Sequence, residues 1–119
     1  MAHRVLLVED DHEVREGLRA VLESQGFMVM SAQHGLEGLR LLWRGYRPCL
    51  ILLDVMLPGI DGYTFREYLH GNKTLEDIPL IVISALRELP ERRDALRPVA
   101  WLRKPIDVDK LVATLEHYC

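Results

Sequence analysis

The sequence predicts an α/β fold, a doubly wound five-stranded parallel sheet with helices on both faces. Three observations carry that prediction. Five short apolar runs recur, at residues 5–8, 27–32, 50–53, 80–83 and 99–102, and their length suits strands rather than helices. Longer segments with apolar residues three and four apart lie between most of them, which is helical spacing. The run Leu50, Ile51, Leu52, Leu53 does not alternate with polar residues, so it reads as a strand buried on both faces. Strands that alternate with helices pair in parallel, because the crossovers supply the covering layers and wind with one hand.

Taken in order, the first strand (5–8) stops at three acids, Glu9, Asp10 and Asp11. Residues 12–25 carry Val14, Leu18, Val21 and Leu22 on one helical face, and Gly26 is placed to end that helix in a left-handed conformation. A strand over 27–32 follows. A helix over 35–44 has Leu36, Leu39, Leu42 and Trp43 at helical spacing, with glycines weakening its first turn. The central strand ends at Asp54, followed by the Pro58-Gly59 turn signal and a second acid, Asp61, before Gly62. A helix over 63–70 pairs Phe65 with Leu69 and stops at Gly71. The strand over 80–83 ends at Ser84. A short charged helix is predicted over 88–96, bounded by Pro90 and Pro98. The last strand (99–102) terminates in Arg103, Lys104 and Pro105, and Asp107 caps a final helix that turns Leu111, Val112 and Leu115 inward.

Composition bounds the function. The chain has 119 residues, 49% of them hydrophobic, enough for one globular domain with its own core and no second domain. A net charge of -3 with acids and bases mixed along the chain gives no electrostatic footprint for nucleic acid or an anionic membrane. No apolar run approaches the roughly 18–20 residues that span a bilayer, and the N-terminus is too short for a signal peptide, so a cytoplasmic location is expected. Cys49 and Cys119 are too few and too far apart in sequence to suggest a disulfide framework or a zinc site, and Cys49 beside a buried strand reads as a small core residue.

In a doubly wound sheet, ligands sit at the carboxyl ends of the strands. Glu9, Asp10, Asp54, Ser84 and Lys104 all follow the last apolar residue of a strand, so all are expected at one edge. Like charges about 4 Å apart repel by roughly 4 kcal/mol at an effective dielectric near 20, so clustered carboxylates call for raised pKa values or a counter-ion. Magnesium suits an all-oxygen site with one or two carboxylates and room for a phosphate oxygen. Asp10 and Asp54 would then be ligands. Lys104 supplies a point charge and Ser84 a hydroxyl for the equatorial oxygens of a transferring phosphoryl group, and Asp54 is left as the nucleophile. Taken singly, each of these residues has a plainer reading. An acid after a strand is more often a helix cap or turn former, an acidic triplet a solvated helix start, and Lys-Pro a turn. Their conjunction at four strand ends favours the site.

The motifs Val-Glu-Asp-Asp at 8–11, Leu-Leu-Asp-Val-Met-Leu-Pro-Gly-Ile-Asp-Gly at 52–62, Ser-Ala at 84–85 and Lys-Pro at 104–105 resemble, in order and spacing, those of the receiver domains of two-component response regulators. The resemblance spans nearly the whole chain and implies a single CheY-like, flavodoxin-like receiver domain over residues 1–119. It implies Asp54 as phosphoacceptor, Glu9 and Asp10 as the acidic pair, and the Met56 backbone carbonyl as a further ligand to Mg2+. It also implies Ser84 as the switch hydroxyl, Lys104 as the phosphate-contacting base and Trp101 in the place of the switch aromatic, where tyrosine or phenylalanine is usual. Met56 and Leu86, both apolar, would flank the path of the hydrolytic water and slow the loss of phosphate. The partners implied are a histidine kinase or phosphotransfer protein and a downstream effector, with no nucleic acid bound by this chain alone and no membrane.

Three function classes compete. A phosphorylation-controlled signalling module, not an enzyme in the ordinary sense, is favoured. A phosphohydrolase would need a dedicated acid-base residue and a substrate pocket, for which no long insertion exists. A pseudo-receiver that only binds proteins is disfavoured because every expected site residue is present.

Overall fold

The computed structural model of the chain describes residues 3–55, 59–85 and 95–119. Its strands are β1 (His3–Val8), β2 (Phe27–Ala32), β3 (Leu50–Asp54), β4 (Leu80–Ser84) and β5 (Ala100–Arg103), and its helices α1 (His12–Ser24), α2 (Gly35–Trp43), α3 (Gly62–Leu69) and α4 (Val108–Tyr118). The strands form one parallel sheet in the order β2-β1-β3-β4-β5. The chain adds β2 on one side of β1 and then β3 on the other. The sheet therefore has its switch point between β1 and β3, where doubly wound folds bind ligands. Of the helix expected over residues 88–96, only residues 95–96 are described. They are helical, and Leu96 is buried.

The sheet divides the core in two by alternation along each strand. Leu6 and Val8 of β1, Ile51 and Leu53 of β3, and Leu80 and Val82 of β4 pack with Leu39 and Leu42 of α2 and Phe65 and Leu69 of α3. Val5 and Leu7, Leu50 and Leu52, and Ile81 and Ile83 point the other way, onto Leu18 and Leu22 of α1 and Leu111 and Leu115 of α4. These strand residues have no exposed surface, and burying each Val, Leu or Ile fully contributes about 1.5–3 kcal/mol. This double-sided burial is why the strands read as continuous apolar runs.

Side chains immediately before the helices start them. Asp11 accepts a hydrogen bond from Val14 N (3.1 Å), Asp61 from Thr64 N (2.9 Å) and Asp107 from Lys110 N (3.2 Å), each satisfying an otherwise unpaired amide of a first turn. Gly26 ends the first helical segment at φ 93°, the left-handed conformation expected of it. Gly62 has a different task. A Cβ there would lie 2.9 Å from Val55 Cα, and its amide donates to Val55 O at 3.0 Å, so only glycine lets α3 begin this close to the end of β3.

The reading of the cysteines is corrected. Cys49, just before β3, and Cys119, just after α4, form a disulfide with Cα atoms 5.5 Å apart. Their separation of 70 residues hid the pairing, but the topology removes that distance. A helix that follows a parallel strand runs back toward the amino edge of the sheet, and there the end of α4 meets the start of β3.

Candidate functional site

Register brings the predicted site residues to one edge. Val8 of β1 pairs with Leu53 of β3, so Glu9 and Asp54 leave adjacent strands side by side. Asp54 pairs with Ile83 of β4, and Ser84 with Arg103 of β5, which puts Ser84 and Lys104 at the same carboxyl edge. The Lys104 amide donates to Ser84 O at 2.9 Å, fixing the turn that follows β5.

Three carboxylates and one ammonium meet there. Oxygen atoms of Glu9, Asp10 and Asp54 lie within 4.8 Å of one another. Lys104 Nζ is 2.6 Å from Glu9 Oε1 and 2.9 Å from Asp54 Oδ2. Glu9 is fully buried and Asp54 nearly so, whereas Asp10 is exposed. Asp11 has left the cluster to cap α1, so its acid is structural. Burial, and after it the neighbouring Asp54 carboxylate, push the Glu9 carboxyl up to about 7 against the opposing Lys104 charge. Burial works to lower the Lys104 ammonium, yet Glu9 and Asp54 outweigh it and leave its pKa raised. The lysine is thus the internal counter-ion of two buried acids.

The donor set fits a hard divalent cation. All three groups offer carboxylate oxygen, one of them from the solvent side, as magnesium prefers. Glu9 Oε1 is buried and accepts no hydrogen bond of good geometry, despite the ammonium beside it. Glu9 Oε2 accepts the Asp11 amide at 3.2 Å. Among the described residues, Glu9, Asp10 and Asp54 are the ones that could hold the ion.

The remaining expected positions fall out differently. Ser84 is fully buried at the end of β4. Trp101 lies inside β5, in register with Val82, and packs partly buried against the core cluster that α2 and α3 cover. It is thus removed from the carboxylates by the length of strand between 101 and 104. Met56 and Leu86 lie outside the described residues.

One residue at the site was missed by the sequence reading. Arg15 of α1 is 7% exposed, and its Nη1 donates to Glu9 O at 2.9 Å and to Asp10 O at 3.3 Å. Its Nη2 lies 3.1 Å from His12 Nδ1. The signal was available: Arg15 stands three and seven residues before Leu18 and Leu22, on the inward stripe of α1.

Comparison with known proteins agrees with this geometry. The sequence pattern of the response regulator receiver domain matches residues 5–116. The response regulator MprA of Mycobacterium sp. strain KMS is 38% identical over 97% of this chain and 50% of its own length, so the chain spans about half the length of the curated relatives it matches. The chemotaxis response regulator CheY4 of Vibrio cholerae shares the fold over 100% of both chains, with a TM-score of 0.89 at 23% identity. The receiver domain of the sensor histidine kinase PA1611 of Pseudomonas aeruginosa, solved with a magnesium ion coordinated in its active site cleft, superposes with a TM-score of 0.87 at 26% identity, over 99% of this chain and 98% of that one. No helix among the described residues is long and apolar enough to cross a membrane. With its parallel sheet in the order 2-1-3-4-5 and this sequence match, the chain belongs to the family of response regulator receiver domains.

Proposed function

We infer that Asp54 is the residue through which this receiver is phosphorylated, taking a phosphoryl group from a histidine kinase or phosphotransfer protein. The observation that carries the reading is Lys104 Nζ bridging Asp54 Oδ2 and Glu9 Oε1 at 2.9 and 2.6 Å, with Asp10 beside them. An oxygen of Asp54 forms a bond to phosphorus as the bond from phosphorus to the donor's imidazole nitrogen breaks, and the imidazole leaves with the electron pair. Glu9, Asp10 and Asp54 would hold magnesium, with the Met56 carbonyl as a further ligand implied by the family. When bound, the ion neutralises charge on the phosphoryl oxygens.

The chain's own groups do the rest. Lys104 is already paired with Asp54, and its ammonium pairs with a phosphoryl oxygen once that carboxylate has become an acyl phosphate. The Ser84 hydroxyl supplies a hydrogen bond to another of those oxygens. A shift of Ser84 toward the phosphoryl group frees space for Trp101, whose movement carries the change to a downstream effector protein or domain. The chain promotes its own phosphorylation and slow dephosphorylation without acting on a separate substrate.

Incubation with a small phosphodonor and magnesium is expected to add one phosphoryl group, and Asp54→Asn to abolish the addition. Peptide mapping that places the group on any other residue refutes the assignment.

A further inference from the structure

We propose that Arg15 is a positioning residue for the metal site, fixing the Glu9–Asp10 turn so that the two carboxylates face Asp54. The inference rests on the reading of that site as a magnesium-dependent phosphoacceptor. A guanidinium as buried as Arg15 ordinarily pairs with a carboxylate. Here, among the described residues, it binds instead the backbone carbonyls of Glu9 and Asp10 and approaches the ring of His12. Five acidic residues, Glu9, Asp10, Asp11, Glu13 and Glu16, stand within six positions of it, and among the described contacts it takes none of their side chains. The two hydrogens of Nη1 serve both consecutive carbonyls while Nη2 is turned to His12, an orientation that the planar guanidinium fork fixes. That contact pins the backbone of Glu9 and Asp10 while leaving their carboxylate oxygens for the cation.

The turn has few other restraints. The Glu9 amide donates to Ala32 O at 3.0 Å and the Asp11 amide to Glu9 Oε2 at 3.2 Å. The Arg15 amide donates to Asp11 O at 2.8 Å, which anchors the helix end of the turn. Only the guanidinium holds the carbonyls of Glu9 and Asp10 themselves, among the described contacts. Its position therefore determines the orientation of the peptide between the two acids.

Electrostatics and positioning predict opposite signs, which makes the inference testable. As a charge alone, Arg15 repels a cation, so its neutralisation should tighten magnesium binding. As a positioning group, its loss should weaken binding, by about tenfold on the scale of residues that orient metal ligands. Magnesium chloride alone is titrated calorimetrically into the full chain and into Arg15→Gln, Arg15→Lys and, as a stability control at the far end of α1, Leu22→Val. Urea unfolding of each confirms that it is folded under the titration conditions. The expected result is a weaker dissociation constant for Arg15→Gln, a partial loss for Arg15→Lys, which keeps the charge but not the fork, and the parent value for Leu22→Val. Affinity equal to or tighter than the parent in Arg15→Gln overturns the proposal, as does an equal loss in Leu22→Val. A parent chain that binds no magnesium refutes the underlying site reading instead, a result distinct from a binding parent with unaffected Arg15 variants.

Discussion

Reduction of the Cys49–Cys119 disulfide is expected to destabilise the chain by an amount the topology sets. The cross-link joins residues 70 positions apart. In the chain-entropy description, closing a loop of that length removes about 15 cal/mol/K from the unfolded ensemble, about 4.4 kcal/mol at 25 °C. Total stability for a chain of this length is roughly 6–18 kcal/mol, so the reduced protein stays folded but loses a large share of its margin. With a urea m-value of about 1.5 kcal/mol/M, the midpoint falls by about 3 M. The assay is equilibrium urea unfolding followed by far-UV circular dichroism, with and without a thiol reductant. The variant carrying both Cys49→Ser and Cys119→Ser should match the reduced parent and ignore the reductant. A further expectation concerns the slope: a cross-linked unfolded chain is more compact, so the oxidised form should show the smaller m-value. A midpoint that reductant leaves in place, with the thiols shown to be free, refutes the reasoning, because no loop would then have been held closed.

Other consequences of the geometry can be measured with the same protein. Lys104→Ala leaves Glu9 and Asp54 buried without their counter-ion. It should cost about 1–3 kcal/mol in metal-free buffer, less than a fully enclosed pair because the lysine side chain is 20% exposed. Thermal melts should show magnesium raising the variant's midpoint more than the parent's, and equal shifts count against Lys104 as the counter-ion. Gly62→Ala forces a Cβ to within 2.9 Å of Val55 Cα and should destabilise by about 1–3 kcal/mol. Gly17→Ala, in α1 with nothing within 4 Å of the new Cβ, should stabilise by about 0.5–1 kcal/mol; urea midpoints that move in one direction for both would contradict the packing argument. In a Trp43→Phe background, beryllofluoride should change the emission of Trp101. An unchanged spectrum with Asp54 occupied means that the signal leaves by a route other than Trp101.

Much of this was legible from the residues because buried parallel strands leave an unmistakable record. The runs 50–53 and 80–83 are apolar throughout, and both strands are buried throughout. The carboxyl edge was legible too, since each strand changes from apolar to polar where it leaves the core. Boundaries moved by a residue or two. The first strand begins at His3, because β2 runs alongside it from Phe27 and pairs with residues too polar to advertise themselves. Three features were not legible. Cys49 and Cys119 are neighbours only after the last helix has returned across the sheet. Arg15 looked like one charge among many on an amphipathic helix, and its burial depends on the turn it braces. The pairing of Lys104 with Glu9 as well as Asp54 depends on the side-by-side exit of β1 and β3, a matter of register that no local pattern encodes. Asp11 shows the converse: a third acid beside two ligand candidates is a helix cap, and only geometry separates them.

The alternation of the two cores bears on how such a molecule can change over generations. Neighbouring residues of one strand belong to different clusters, Leu6 and Val8 to one, Val5 and Leu7 to the other. A substitution beneath α2 or α3 is thus felt mainly in one layer, and a compensating change need be sought only there, because sites without shared partners combine nearly additively. The sheet acts as a partition between two separately revisable halves. The acidic edge belongs to the strand ends, which both halves help to hold in register. A revision confined to one helical layer therefore leaves the packing of the other layer on the strands that carry Asp54 and lead to Lys104 in place.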